Sequence, residues 1–284
     1  MAFKLNLPSK FNFPCHINTN DSNICVGGAA TNQAIAAARS GAKTALVGTV
    51  GNDVFGKTIL DTLRREGINS SGIAKSDTQT GIIHEIVNVE NEKAIISSSG
   101  ANIESVANQI PDNMLNERAL VLLQTDVSKE INLEILKRTK SRNAKSLICI
   151  SDAKNIDEEM LEYLDIIIID ESNIPLLCRS LPIQGDDLTQ LINKDVYCVV
   201  ARNNGCDGAY VINRNGDKYE ISESTPPHKT NNTDTFDSFC GTFTACIQAG
   251  LNINKSTQYA VSASQLTARK NDFPYLDEIQ GNIG

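Results

Sequence analysis

The sequence predicts an α/β fold, a parallel sheet with helices on both faces. Three observations carry this. From Thr44 onward, apolar strand-like runs alternate with helix-like segments. The runs SLICIS, DIIIID and VYCVVAR are apolar almost throughout, as strands buried on both faces are. The chain of 284 residues, 40% hydrophobic and 21% charged, can bury the core of one large domain.

Residues 1–26 are rich in Asn, Pro and Ser and read as a loop with one edge strand. GGAATNQAIAAARSGA is an Ala-rich helix that opens beside a glycine pair and stops at Gly41. TALVGTVG is a buried strand over Thr44–Val50. NDVFGKTILDTLRREGI is an amphipathic helix with Val54, Ile59 and Leu63 near one face and Gly67 past its end. Two β-rich runs within 79–99 flank a polar segment and suggest a hairpin. After Gly100 the βα alternation resumes. Strands are expected at ALVLLQTD, SLICIS, DIIIID and VYCVVAR, with helices at KEINLEILKRTK, DEEMLEYL, ESNIPLLCRS and DDLTQLIN between them. AYVIN and DKYEIS form a pair joined at Asn215–Gly216. DSFCGTFTACIQAG and KSTQYAVSASQLTARK are helices. The parallel sheet is expected from 44–50, 119–125, 146–151, 165–170 and 196–201.

Lys+Arg 26 against Asp+Glu 34 gives a net charge of −8, which argues against nucleic acid or an anionic membrane as the main partner. No apolar run approaches the ~18 residues that span a bilayer. Met1 to Cys15 has neither the apolar core nor the cleavage site of a signal peptide. The 8 Cys include no C-x-x-C pair and read as reduced core thiols of a cytoplasmic protein. His16, His84 and His228 are scattered singly, so no protein-bound zinc is expected.

Three glycine-bearing stretches bear on chemistry. Gly27–Gly28 opens a helix carrying Asn32, where a ligand could approach the backbone closely. Gly48-Thr-Val-Gly51-Asn-Asp53-Val-Phe-Gly56 is a strand, a tight turn and a helix capped by Asn52 or Asp53, and its reading is structural. Thr233-Asp-Thr-Phe-Asp237-Ser-Phe-Cys-Gly241 delivers Asp237 to the first turn of a helix. There the carboxylate is either an N-cap or a general base.

Taken in order, these segments resemble the ribokinase (PfkB) family of ATP-dependent carbohydrate kinases over residues 15 to 280. Gly27 to Arg39 resembles the first signature of that family, and Gly48 to Ile68 follows its pattern almost throughout. Ser99-Gly100-Ala101-Asn102 resembles the return from its lid hairpin. Asp237 to Phe243 resembles its second signature, and Gly205-Cys-Asp-Gly208 its adenine-side turn.

The resemblance implies a three-layer αβα sandwich, ribokinase-like with a Rossmann-like parallel sheet, as one domain over 1–284. A small β lid would come from about 15–26 and 79–99. It implies Asp237 as the base that deprotonates a primary sugar hydroxyl, and Gly28, Asn32 and Asp126 as sugar contacts. It implies an anion hole at Asp234, Thr235 and Phe236, and a nucleotide site including Asp170, Asn173, Asn203, Gly205 and Gly208. Mg²⁺ would accompany ATP, and K⁺ is the family's monovalent cation. An apolar face on the lid points to a homodimer.

The sequence departs from the family at several of these positions. Asp234-Thr235-Phe236 stands where the family has Gly-Ala-Gly, so side chains replace hydrogens near the phosphoryl group and the Asp234 carboxylate repels it. Asn231 stands where an acidic residue opens the second signature. Asp170-Glu171-Ser172-Asn173 replaces an N-x-x-E motif; Ala29 replaces a Lys, and Val261 an Asn of the adenine pocket. The family's first strand, with its sugar-binding Asp, has no counterpart here. Two readings follow. One is an active sugar kinase. The other is a catalytically impaired relative that binds a sugar, a nucleoside or a protein partner. A dinucleotide-dependent oxidoreductase would need G-x-G-x-x-G after the first strand, and the sequence has none.

Overall fold

The computed structural model describes residues 1–7, 16–90, 92–151, 155–181, 183, 185, 187–194, 196–213, 215–221 and 234–283. The chain divides into two compact units. One comprises Met1–Thr31 and Ala45–Gln109, the other Asn32–Thr44 and Ile110–Gly284.

In the first unit, β1 (Ala2–Asn6) and β2 (Ser22–Cys25) pair antiparallel. The helix α1 (Ala29–Arg39) then begins, its first three residues in this unit and the rest in the second. β3 (Ala45–Gly51), α2 (Val54–Arg65), β4 (Asn69–Ser76), β5 (Ile82–Val87) and β6 (Lys93–Ser98) complete the unit. A four-stranded sheet runs in the order β2-β1-β5-β6, and β3 pairs in parallel with β4 alone. Asp53 caps α2, accepting from Gly56 N at 2.8 Å, and also accepts from Thr80 N and Oγ1 at 2.8 and 2.7 Å. The glycine-rich stretch before α2 is a structural clasp, as its sequence reads.

The second unit holds a six-stranded sheet. Its strands are β7 (Leu120–Gln124), β8 (Lys145–Ile150), β9 (Ile166–Asp170), β10 (Tyr197–Ala201), β11 (Ala209–Ile212) and β12 (Lys218–Ile221), in the order β12-β11-β10-β9-β8-β7. Strands β7 to β10 are mutually parallel; β11 and β12 continue antiparallel. The helices are the remainder of α1, then α3 (Lys129–Ser141), α4 (Glu158–Leu161), α5 (Ile174–Ser180), α6 (Asp234–Gln248), α7 (Ile253–Lys270) and α8 (Leu276–Asn282).

Both faces of this sheet are covered. On one, Leu147, Cys149, Ile166, Ile168, Val199 and Ala201 form a core with Phe236, Phe239 and Phe243 of α6 and Ala260 and Val261 of α7. On the other, Ile148, Ile150, Ile167, Ile169 and Val200 are wholly buried, and α3 packs along β8. Burial of alternate residues on opposite faces is why these strands read as unbroken apolar runs. Cys149, Cys178, Cys198, Cys206, Cys240 and Cys246 are buried thiols outside any disulfide, as expected of core thiols; Cys15 lies outside the described residues.

Several expectations are corrected. The strand expected at 44–50 is not in the six-stranded sheet. Its partner is β4, whose sequence NSSGIAKS shows no apolar pattern and which is held by parallel pairing with β3. The expected edge strand of 1–26 is β2, at the edge of its sheet; the same stretch also holds β1, which lies inside the sheet, parallel to β5 and antiparallel to β2. The lid therefore takes in 2–6 as well as the 79–99 hairpin, where β5 and β6 pair antiparallel. Val54, expected on the buried face of α2, is 69% exposed, because it sits in the first turn ahead of Gly56, Ile59 and Leu63. In place of the helix expected at DDLTQLIN, Leu188–Lys194 form a 3₁₀ segment, where Asp187 accepts from Thr189 N and Oγ1 in a local turn. No α-helix of the described residues is long and apolar enough to cross a membrane.

Candidate active site

The site is built where α6 begins. In the second unit, α1 and α6 approach so closely that a Cβ at Gly241 would lie 2.4 Å from Gln33 O and 2.7 Å from Ala36 Cβ. Only glycine permits that contact. One turn earlier on α6, Asp237 consequently meets the polar side chains of α1. Asn32 Nδ2 donates to Asp237 Oδ2 at 2.9 Å and to Asp234 Oδ1 at 3.2 Å. Gln33 Nε2 donates to Asp237 Oδ1 at 2.9 Å. Asp237 is 7% exposed.

Burial pushes the Asp237 carboxyl up to about 7, and the nearby charges of Asp234 and Asp126 push the same way. The bonds from Gln33 and Asn32 oppose the rise by favouring the ionised form. The result is a carboxyl that exchanges its proton near neutral pH, at the positive end of a 15-residue helix.

Behind Asn32 and Gln33 stands a third carboxamide. Gln124, the last residue of β7, accepts from Gln33 Nε2 at 3.3 Å and donates to Gln33 Oε1 at 2.5 Å. Asn132 of α3 holds Gln124 in turn, donating from Nδ2 to its backbone oxygen at 2.9 Å. Asp126 lies two residues beyond β7, exposed to solvent, with its carboxyl raised by desolvation from surrounding protein.

Two of the three side chains at the expected anion hole are buried. Thr235 is wholly buried, and Phe236 packs in the core with its ring stacked 6.5 Å from that of Phe239. Both side chains turn inward because the first turn of α6 lies against the sheet. Asp234 is the substituent left partly exposed there, and it shares the Asn32 carboxamide with Asp237.

A second cluster lies at the ends of β9 and β10. Asp170 closes β9 and accepts from Ser172 N and Oγ at 3.0 and 2.5 Å and from Asn204 N at 2.6 Å. It thereby clamps the turn after β10. Asn203, Asn204 and Gly205 all take positive φ there (47, 55 and 89°), and Gly208 follows at 93°. A Cβ at Gly205 would lie 2.6 Å from Ser264 Oγ and 2.7 Å from Phe239 Cδ2, so the turn seats directly on α6 and α7. Strained backbone of this kind gathers at binding sites. Asn173 precedes α5 without a side-chain capping bond.

The structure thus brings Asn32, Asp234 and Asp237 into one cluster, with Asp126 near enough to act on Asp237, and joins Asp170 to the 203–208 turn. Gly28, in the first unit, has φ 106°, a conformation that favours glycine although a Cβ would meet nothing within 4 Å. Asn231 lies outside the described residues. Gln33 and Gln124 did not emerge from the sequence. The available signal was two adjacent carboxamides in a helix whose other residues up to Ala38 are small or apolar.

A family model described as "pfkB family carbohydrate kinase" matches residues 4–273. A ribokinase of Lactococcus lactis is 28% identical over 264 residues, covering 90% of this chain and 85% of the relative. A ribokinase of Schizosaccharomyces pombe is 25% identical over 278 residues, covering 90% and 86%. Among solved structures, ribokinase from Thermotoga maritima superposes with a TM-score of 0.88 at 23% identity, covering 99% of this chain and 95% of that one. Arabidopsis thaliana ribokinase complexed with ribose and ATP gives a TM-score of 0.84 at 18% identity, with coverage of 99% and 95%. The fold is therefore the ribokinase-like α/β sandwich with a small β lid.

Proposed function

Because the chain belongs to the pfkB family of carbohydrate kinases, we propose that it transfers the γ-phosphate of ATP to a primary hydroxyl of a sugar, with Asp237 as general base. The observation that carries this is the buried Asp237 carboxyl, held by Asn32 and Gln33 and titrating near neutrality. As the sugar oxygen attacks the γ-phosphorus, its proton passes to Asp237 and ADP leaves. Positioning and charge stabilisation account for most of the rate in such a transfer. Gly28, Asn32 and Asp126 are the proposed sugar contacts, and the relatives' names make ribose the first sugar to test.

On the nucleotide side, Asn173, Asn203, Gly205 and Gly208 are proposed to meet ATP. Asp170 would act indirectly, since its oxygens already hold Ser172 and Asn204. Among the described residues no three His, Cys, Asp or Glu side chains converge as a metal cage. Mg²⁺ in such a site needs only one or two carboxylates beside the ATP phosphates, and would enter with the nucleotide. We place the enzyme in the cytoplasm, working as one domain over 1–284 with its lid. The lid sheet exposes Ile24 and Ile96 on one face and Ile95 on the other, and a single-layer sheet needs cover, which supports a homodimer through the lid.

Asp234 favours a second reading, a catalytically impaired relative that binds a sugar, a nucleoside or a protein partner. With the anion hole at the start of α6, its carboxylate would repel phosphate charge. The test is phosphorylation of a panel of pentoses and hexoses with Mg²⁺ and ATP, with calorimetry of ATP and ribose binding alongside. Binding of ribose without turnover would select the second reading.

A further inference from the structure

Resting on Asp237 as the base, we propose that Gln33, locked by Gln124, is the positioning residue that orients the Asp237 carboxylate and sets its strength. A lone glutamine beside a carboxylate can present either its N–H or its oxygen. Here the choice is fixed. Gln33 and Gln124 exchange hydrogen bonds in both directions, each carboxamide donating to the other. That ring leaves the second hydrogen of Gln33 Nε2 directed at Asp237 Oδ1, 2.9 Å away. Both glutamines are buried, at 2% and 6% exposure, so water cannot substitute for either partner.

The lock extends into the sheet. Gln124 ends β7, and Asn132 on the first turn of α3 ties its backbone oxygen in place. Gln33 also lies against Gly241, whose lack of a side chain fixes the separation of α1 from α6. The Asp237 carboxylate is thus gripped at both oxygens from one helix, by Asn32 at Oδ2 and Gln33 at Oδ1. The two grips differ. Asn32 also bonds Asp234, whereas the Gln33 side chain makes its other bonds to Gln124. The titratable groups acting on Asp237 are Asp234 of its own helix and Asp126 beyond β7; the Cys240 thiol, hydrogen-bonded to that of Cys149, in turn feels the Asp237 charge.

The test is a ¹³C-carboxyl NMR titration of the full chain labelled at aspartate, with the Asp237 signal assigned by its loss in Asp237→Asn. The wild type should titrate near 7. Gln33→Met removes a donor to the charged form and should raise the midpoint by about one to two pH units. Gln124→Met should raise it less, because Gln33 remains but is free to turn. The double variant should titrate where Gln33→Met does, since Gln124 acts only through Gln33. An unchanged midpoint in Gln33→Met, or a double variant shifted by the sum of the two, would overturn the proposal. Should Gln33→Met lose its cooperative melt, Gln124→Met alone decides, and an unmoved midpoint there overturns it. The titration needs no substrate. A wild type that phosphorylates no sugar would remove Asp237 as base while leaving this result intact. Normal turnover with unmoved midpoints would remove Gln33 and leave the base.

Discussion

Asp237 is a carboxyl that the fold makes useful at a cost in stability. Its folded value, near 7, lies above the ordinary 3.8, so the folded state binds a proton more tightly than the unfolded one. The associated stability is complete below about 4 and is lost as pH rises toward 7, at most ~4 kcal/mol for a shift of ~3 units. Asp237→Asn should therefore melt higher than wild type at pH 8, by calorimetry, with the difference vanishing near pH 4. The same variant should lose turnover by about 10²–10⁴ while its affinity for ribose, by calorimetry, changes little. Asp234→Gly should act oppositely. Two charges ~4 Å apart at an effective dielectric near 20 repel by ~4 kcal/mol, so ATP should bind at least about tenfold more tightly. The acid limb of kcat should also move down, since Asp234 raises Asp237. Phe236→Gly is no part of this remedy, because its ring lies in the core and its loss costs about 3–5 kcal/mol. Asn32 and Asp237 were legible because each lies in an ordered motif. Gln33 and Gln124 were not, because a glutamine's partner 91 residues away leaves no local pattern.

At the scale of elements, the contact between α1 and α6 decides whether the site exists. Gly241→Ala would bring a methyl group to 2.4 Å from Gln33 O. The helices must separate, at about 1–3 kcal/mol by thermal melt, and the Asn32 and Gln33 bonds to Asp237 lengthen with them. Turnover should fall more than the melt implies, which assay of the folded variant at low temperature would separate. Strands β7 to β10 were legible because burial on both faces leaves them apolar throughout. β4 was not, because its residues are polar and its place depends on pairing with β3. α8 escaped for a like reason, with Ile279 its one fully buried side chain.

For the whole molecule, the ordered set of motifs was more informative than any one of them, and it carried family and fold together. What it could not carry is where side chains turn: Thr235 is wholly buried and Phe236 packs in the core. The lid gives a prediction at this scale. Wild type should sediment as a dimer, and Ile95→Lys, altering a residue 53% exposed on β6, should sediment as a monomer. The most direct test of the central claim is transfer of label from γ-³²P-ATP with Mg²⁺ to ribose and a panel of other pentoses and hexoses, wild type beside Asp237→Asn. A labelled sugar phosphate from the wild type, reduced at least a hundredfold in the variant, is the expected result. No labelled sugar from the wild type, or equal labelling by both proteins, would contradict it.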